Sequence, residues 1–161
     1  DVCSSDLLAI LAGCSSSAKH DDPVPAAQRD APPEAPGPTV VLPTMQGEVA
    51  VAVEIADTPA KIERGLMFRE HLPPDRGMLF LMHEERTWPF WMRNTLIPLD
   101  MIFIAKDLTV AGVVENAEPR TETLRQVDPP SLYVLEVNGG WVAAHKLAPN
   151  AKLRFDRVPG R

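Results

Sequence analysis

Cysteine is almost missing from this chain: two occur in 161 residues, Cys3 and Cys14, and both precede residue 15. Everything after them has no disulfide and no thiol nucleophile. No run of eighteen apolar residues occurs, so no segment reads as a membrane-spanning helix. Basic residues are in deficit, 16 against 22 acidic, for a net charge of -6. That balance lacks the cationic footprint of a nucleic-acid binder, and no nucleic-acid partner is expected. His71, His83 and His145 show neither H-x-x-x-H nor H-x-H spacing, and no zinc site is expected. No glycine-rich phosphate loop and no G-x-S-x-G elbow occurs either. Neither a metal nor a cofactor is therefore expected. The length excludes a Rossmann pair or an α/β barrel.

Proline, by contrast, is abundant. The chain has 17, about twice the usual share. Seven of the 17 fall between Pro23 and Pro43, in a stretch with almost no aliphatic side chain before Val40. Such a segment buries too little apolar surface to offset its chain entropy. Residues 15–47 are expected to be a disordered, Pro-rich tether. In polyproline form it would extend on the order of 100 Å, at roughly 3.1 Å per residue.

Ahead of it, Leu7–Gly13 reads LLAILAG, followed by Cys14 and three serines. An apolar run, small residues and a Cys form a bacterial lipoprotein signal, with Leu11-Ala12-Gly13-Cys14 as the lipobox. Cys14 is then the acylated first residue of the mature protein, and its acyl chains anchor it at about 0.8 kcal/mol per buried CH₂. Ser15 favours sorting to the outer membrane, which places the protein on the periplasmic side of a bacterial cell envelope. Residues 1–14 are expected to be a truncated signal. Asp1 and Asp6 stand where a positive n-region belongs, so residues 1–6 read as non-native and the true N-terminus is expected elsewhere.

The folded unit is expected over residues 48–161, with 16 acidic and 14 basic side chains. Glu48–Ala56 alternates as a strand. Asp57-Thr58-Pro59 gives a cap and an early Pro, so Pro59–Phe68 follows as a helix facing Ile62, Leu66 and Met67 inward. Gly65 either ends that helix or admits another backbone. Further strands are predicted at Met78–Met82, Trp88–Met92, Leu99–Ala105, Thr109–Glu115, Ser131–Val137 and Ala151–Phe155. A short helix capped by Asn138 is predicted over Gly139–Leu147. The fold class is α+β: a mainly antiparallel small β-barrel or curled sheet with one or two short helices.

Three segments are compositionally unusual: Arg64–Arg69 (RGLMFR), Phe90–Thr95 with Ile97–Asp100 (FWMRNT, IPLD), and Leu135–Gly140 (LEVNGG); Gly77–Phe80 (GMLF) stands beside them. Together they closely resemble the domain-of-unknown-function 192 family over roughly Glu48 to Phe155. That family comprises small, often secreted or lipid-anchored bacterial and archaeal domains. The resemblance implies a fold and a secretion context, but no reaction. Leu81-Met82 stands where an aromatic is common, and Arg93 where Lys is common.

The candidate ligand-binding residues are Arg64, Trp91, Asn94, Thr95, Asp100 and Glu136. Period two puts Asp100 on the face of Ile102 and Ile104, where an unpaired carboxylate is costly. Arg64, beside a glycine, is the expected partner through a two-bond clasp. Glu136 poses the same question, with Arg64, Arg69 or Arg93 as possible partners. A buried ion pair that fixes register and a ligand-facing cluster are both open readings. Asn94 and Thr95 serve either the local turn or a pocket beside Trp91. The expected function is non-catalytic binding of an envelope polysaccharide or protein. One alternative is an enzyme acting on glycan or peptide through Asp100 and Glu136 as general acid and base. Another is a copper-handling module using Met82-His83, against which the Met residues sit in apolar runs.

In a chain carrying its native start, Cys14→Ser is expected to move the protein from the membrane to the soluble envelope fraction. Fractionation followed by immunoblotting measures this, and unchanged membrane association would exclude acylation at Cys14.

Overall fold

The computed structural model describes residues 36–148 and 150–160. The signal, Cys14 and the greater part of the tether lie outside the described residues. Seven strands form a single mixed sheet: β1 (Thr39–Thr44), β2 (Gly47–Ala56), β3 (Arg76–Arg86), β4 (Leu99–Ile104), β5 (Val110–Ala117), β6 (Ser131–Asn138) and β7 (Arg154–Asp156). Two short helices accompany them, α1 (Pro59–Arg64) and α2 (Trp141–His145). The order across the sheet is β5-β4-β6-β3-β2-β1-β7. Every neighbouring pair is antiparallel except β2 and β3. Those two run parallel, which requires a crossover, and α1 lies within it.

The fold class is α+β, as expected, with a curled sheet rather than a closed barrel. The chain just before β7 meets the start of β5 through an isolated Thr109–Lys152 bridge and two flanking backbone bonds. One bridge does not make a ladder, so the sheet stays open.

The central strands β4 and β6 are buried on both faces, and two separate cores result. Inside the curl, Val40, Leu42, Val51, Leu79, Ile102, Ile104 and Leu135 pack with Trp141 and Val142 of α2. On the outer face, Met78, Phe80, Met82, Leu99, Met101, Phe103 and Val134 pack beneath Leu66, Leu72 and Met92. Each such side chain contributes about 1.5–3 kcal/mol when fully buried.

Asp100 lies on the inner face and is fully buried. Its partner is not Arg64. Oδ1 accepts the backbone N–H groups of Asn116 (2.8 Å) and Gly140 (3.0 Å), and Oδ2 accepts that of Val142 (2.8 Å). β5 has a bulge here: Leu99 pairs Ala117 while Met101 pairs Val114, which leaves Asn116 at a positive φ of 49°. The N-cap of α2, Gly140, has φ 83° and no side chain to offer. The carboxylate from β4 therefore caps the helix from across the sheet, meeting N–H groups that the helix itself leaves unpaired.

Four expectations about elements are corrected. β1 occupies residues assigned to the tether, because Val40 and Leu42 fill the inner core and pair against β2. Trp88–Met92 is not a strand: Pro89 offers no N–H, and only Phe90 bridges, to Arg125. The first helix stops at Arg64, since Gly65 turns its backbone to φ 46°, ψ -134°. Asn138 does not cap α2; its amide donates to the Leu72 and Pro73 carbonyls at 2.9 and 3.2 Å and fastens the crossover to β6.

Removing the Asp100 carboxylate strands one buried N–H group, that of Val142, and two part-buried ones, those of Asn116 and Gly140; a buried donor left unpaired costs about 1–3 kcal/mol and the part-buried ones less. Asp100→Ala is expected to lower stability by several kcal/mol in urea denaturation, and Asp100→Asn by less. A loss under 1 kcal/mol for Asp100→Ala would mean that the cap carries little weight.

Candidate functional site

Glu136 sits one residue from Val137, which pairs Asp100, and it therefore points to the opposite face. In the ladder it faces Met78 of β3 and Met101 of β4, so its carboxyl emerges among the outer-core side chains. It is 4% exposed. Among the described residues no hydrogen bond or ion pair reaches it.

Above it lies a cavity of about 330 Å³. Burial grades its wall from floor to mouth. Leu66, Phe80, Met82, Thr95 and Glu136 are buried at the floor; Ile62, Met67, Trp88 and Phe90 are half-buried along the wall; Glu63, Arg64, Arg86 and Trp91 are exposed at the mouth. Phe90 stands edge-on to Phe80, 5.2 Å between centroids, which fixes the wall. Gly65 passes directly over the carboxyl: a Cβ there would lie 3.2 Å from the Phe80 ring and 4.0 Å from Glu136 Oε2. Its positive φ and this closeness are both reasons for glycine.

The structure brings together four of the six expected residues. Arg64, Trp91, Thr95 and Glu136 line this cavity. Arg64, Trp91 and Asn94 also line an adjoining depression with Met67 and Arg93. Asn94 serves the local turn as well: it has φ 57°, and its carbonyl accepts the Phe68 N–H at 2.8 Å. Asp100 is excluded, being on the other face of the sheet. The pairing of Asp100 with Glu136 as general acid and base is thereby overturned, since the sheet itself separates them. The residues missed from the sequence are Ile62, Glu63, Met67, Phe80, Met82, Trp88 and Phe90. Apart from the exposed Glu63, these residues lie in apolar runs that signalled core, and nothing local marks a core position as a cavity wall.

Of the three arginines considered for Glu136, two are engaged elsewhere. Arg69 clasps Glu54 with bonds of 2.5 and 2.6 Å, and Arg93 approaches Glu122 at 3.6 Å. Arg64 forms no ion pair among the described residues and stays at the mouth. The Thr95 hydroxyl likewise has no partner among the described residues, although its backbone is bonded to Met92 and Arg120. Arg86 stacks on the Trp88 ring at 3.5 Å and bonds Glu84 at 2.8 Å, so it is held in place. Met82 and His83 project to opposite sides of β3, one buried and the other exposed, and do not form a copper pair. Among the described residues no group of three His, Cys, Asp or Glu side chains is placed to hold a metal ion.

Burial with no compensating partner pushes the Glu136 carboxyl from 4.5 up to about 8. The folded value is raised, so the protonated acid favours folding fully below pH 4.5. That advantage is lost as pH rises towards 8, at about 1.4 kcal/mol per pH unit. Glu136→Gln cannot titrate. Its stability relative to the unmodified protein is expected to rise steadily from pH 5 to pH 8 in paired urea melts. A difference that does not vary with pH would contradict a raised Glu136.

The comparisons with known proteins agree with the fold. A crystal structure from Sinorhizobium meliloti, provisionally described as a transcription regulator, is 39% identical with a TM-score of 0.71. It covers 77% of this chain and 98% of its own. A protein of unknown function from Novosphingobium aromaticivorans is 40% identical with a TM-score of 0.69, covering 72% of this chain and 83% of its own. No curated protein matches. The profile of the DUF192 family, described as "Uncharacterized ACR", matches residues 41–155, spanning β2 to β6 complete with both helices, and the chain belongs to that family.

Proposed function

We propose that this is a non-catalytic ligand-binding domain of the bacterial cell envelope, held to the membrane by acyl chains on Cys14. The observation that carries the binding reading is the unpartnered, buried Glu136 carboxyl at the floor of an aromatic-walled cavity. A protein retains an unpaired buried acid at a cost to its own stability. Concave, largely apolar sites with a few convergent polar groups are where ligands bind, and perturbed acids concentrate there. Trp91, 41% exposed at the mouth, adds a flat surface suited to a sugar ring or a peptide side chain. The occupant is thus one unit of an envelope polysaccharide or protein chain.

The lipobox and the Pro-rich stretch support the anchor and its location. The transcription-regulator description of the Sinorhizobium meliloti relative points elsewhere. Residues 48–161 carry 16 acidic and 14 basic side chains, which gives no cationic excess for DNA.

Titration calorimetry of the protein against oligosaccharides and peptides tests the binding reading. At least one ligand is expected to bind, and Trp91→Ala is expected to weaken it about tenfold. No binding across both panels, or equal affinity after Trp91→Ala, would overturn it.

A further inference from the structure

The cavity is graded in chemistry as well as in depth. Its half-buried wall is hydrocarbon, aromatic ring and thioether, from Ile62, Met67, Trp88 and Phe90. Polar groups are concentrated at the two ends. Thr95 and Glu136 lie at the floor, and Arg64 lies at the mouth. A sugar ring carries hydroxyls around its rim and would leave several of them against this apolar wall, unpaired. A chain of methylenes ending in a hydrogen-bonding cation leaves nothing unpaired. Its methylenes meet the wall, and its head meets the carboxyl.

From this gradation we infer that the cavity receives a primary alkylammonium group, the side chain of a lysine, which ends on the Glu136 carboxylate. The inference rests on the reading of the cavity as a ligand site and names the class of ligand. Three features support it. An ammonium has three donors and no acceptor, and the floor offers the two Glu136 oxygens and the Thr95 hydroxyl as acceptors. Aromatic faces around the cavity attract a desolvated cation, and Trp88 already accepts the Arg86 guanidinium on one side. Arg64, with no ion pair among the described residues, is free at the mouth to donate to the main-chain carbonyl of the same lysine.

The charge balance is explicit. Burial keeps the empty carboxyl protonated at neutral pH. As the ammonium arrives, the carboxyl O–H bond breaks, and the electron pair stays on oxygen as the carboxylate that meets the cation. The proton passes to the buffer. The other charged groups facing the cavity are Glu63 and Arg64 from α1 and Arg86 from β3, all exposed at the mouth. The segment between β3 and β4 contributes only uncharged side chains to the wall. The charge of Glu136 at the floor changes between pH 6 and pH 8. A lysine ammonium stays charged over that range.

The test is calorimetry with Nα-acetyl-lysine methylamide, its Nε-acetylated form, 1,5-diaminopentane, and glucosamine and N-acetylglucosamine oligomers. Runs at pH 6.5 in two buffers of different ionisation enthalpy count the protons released. The lysine amide is expected to bind with release of about one proton, and to weaken about tenfold per pH unit below pH 8. The Nε-acetyl form is expected not to bind, and Glu136→Gln to abolish binding of the lysine amide. Diaminopentane binding as tightly as the lysine amide would assign the site to free amines, whereas weaker binding assigns it to lysine within a chain. Either result keeps the alkylammonium class. Equal binding of the Nε-acetyl form, or lysine binding without proton release, would overturn the inference; neither measurement depends on a variant that folds. Sugar oligomers binding through Trp91 while the amines do not would also overturn it, yet leave the ligand-binding reading standing. No binding by any of these, together with no binding across the wider panels, would remove both.

Discussion

Asp100 accepts backbone N–H groups from Asn116, Gly140 and Val142, so one carboxylate joins the central strand β4, the bulge in β5 and the start of α2. The β4–β5 ladder is interrupted at the bulge, and no ladder reaches α2. The bulge in β5 turns the Asn116 N–H inward, and Gly140 lets the chain leave β6 at a positive φ, so that α2 begins directly over the carboxylate. Trp141 and Val142 then close the inner core. Backbone N–H groups can neutralise a buried carboxylate at less entropic cost than a long side chain, since the backbone is already fixed by the fold. This is the reason that no arginine is needed on the inner face.

Glu136 is the opposite case, one register position away across the same pair of strands. Its neighbours Met78 and Met101 have no donor to give, and Gly65 above it presents no side chain. The crossover that joins β2 to β3 holds α1 above this face, and the long segment between β3 and β4 supplies the aromatic wall. The crossover exists because β2 and β3 are parallel, so the one parallel pair in the sheet is what places a helix end over Glu136. Cavity and acid are thus products of a single topological choice. The two faces of the sheet treat their acids differently: one is satisfied by backbone N–H groups, and the other lies beneath a cavity.

Much of the fold was legible in local patterns. The alternation in Glu48–Ala56 is β2, Thr58 and Pro59 do start α1, and LDMIFI and LYVLEV are the central strands. Where local signals misled, the cause is physical. VVL in β1 is too short to show a period, and its burial depends on pairing with a hairpin partner. FWM in the segment after Trp88 looks like a strand, but loop packing beside Pro89, not a ladder, buries Met92 and half-buries Phe90, and Trp91 stays exposed. Of the candidate residues, Arg64, Trp91, Thr95 and Glu136 were found because each is a polar or aromatic group in an unusual setting. Glu63 and Phe90 carry no such mark.

The sequence alone determined that both Asp100 and Glu136 are buried acids, because each interrupts a strand apolar on either side. It also determined the family membership and, through its lack of downstream cysteine, a folded unit with no covalent staple. It did not determine how the two acids are satisfied. Period two assigns each residue to a face of its own strand, but the relation between faces of different strands depends on register, and register on the whole sheet. Only the assembled sheet put the acids on opposite sides, gave one of them three N–H groups and left the other alone beneath a cavity. Partners in space are set by long-range pairing, and no spacing along the chain encodes them.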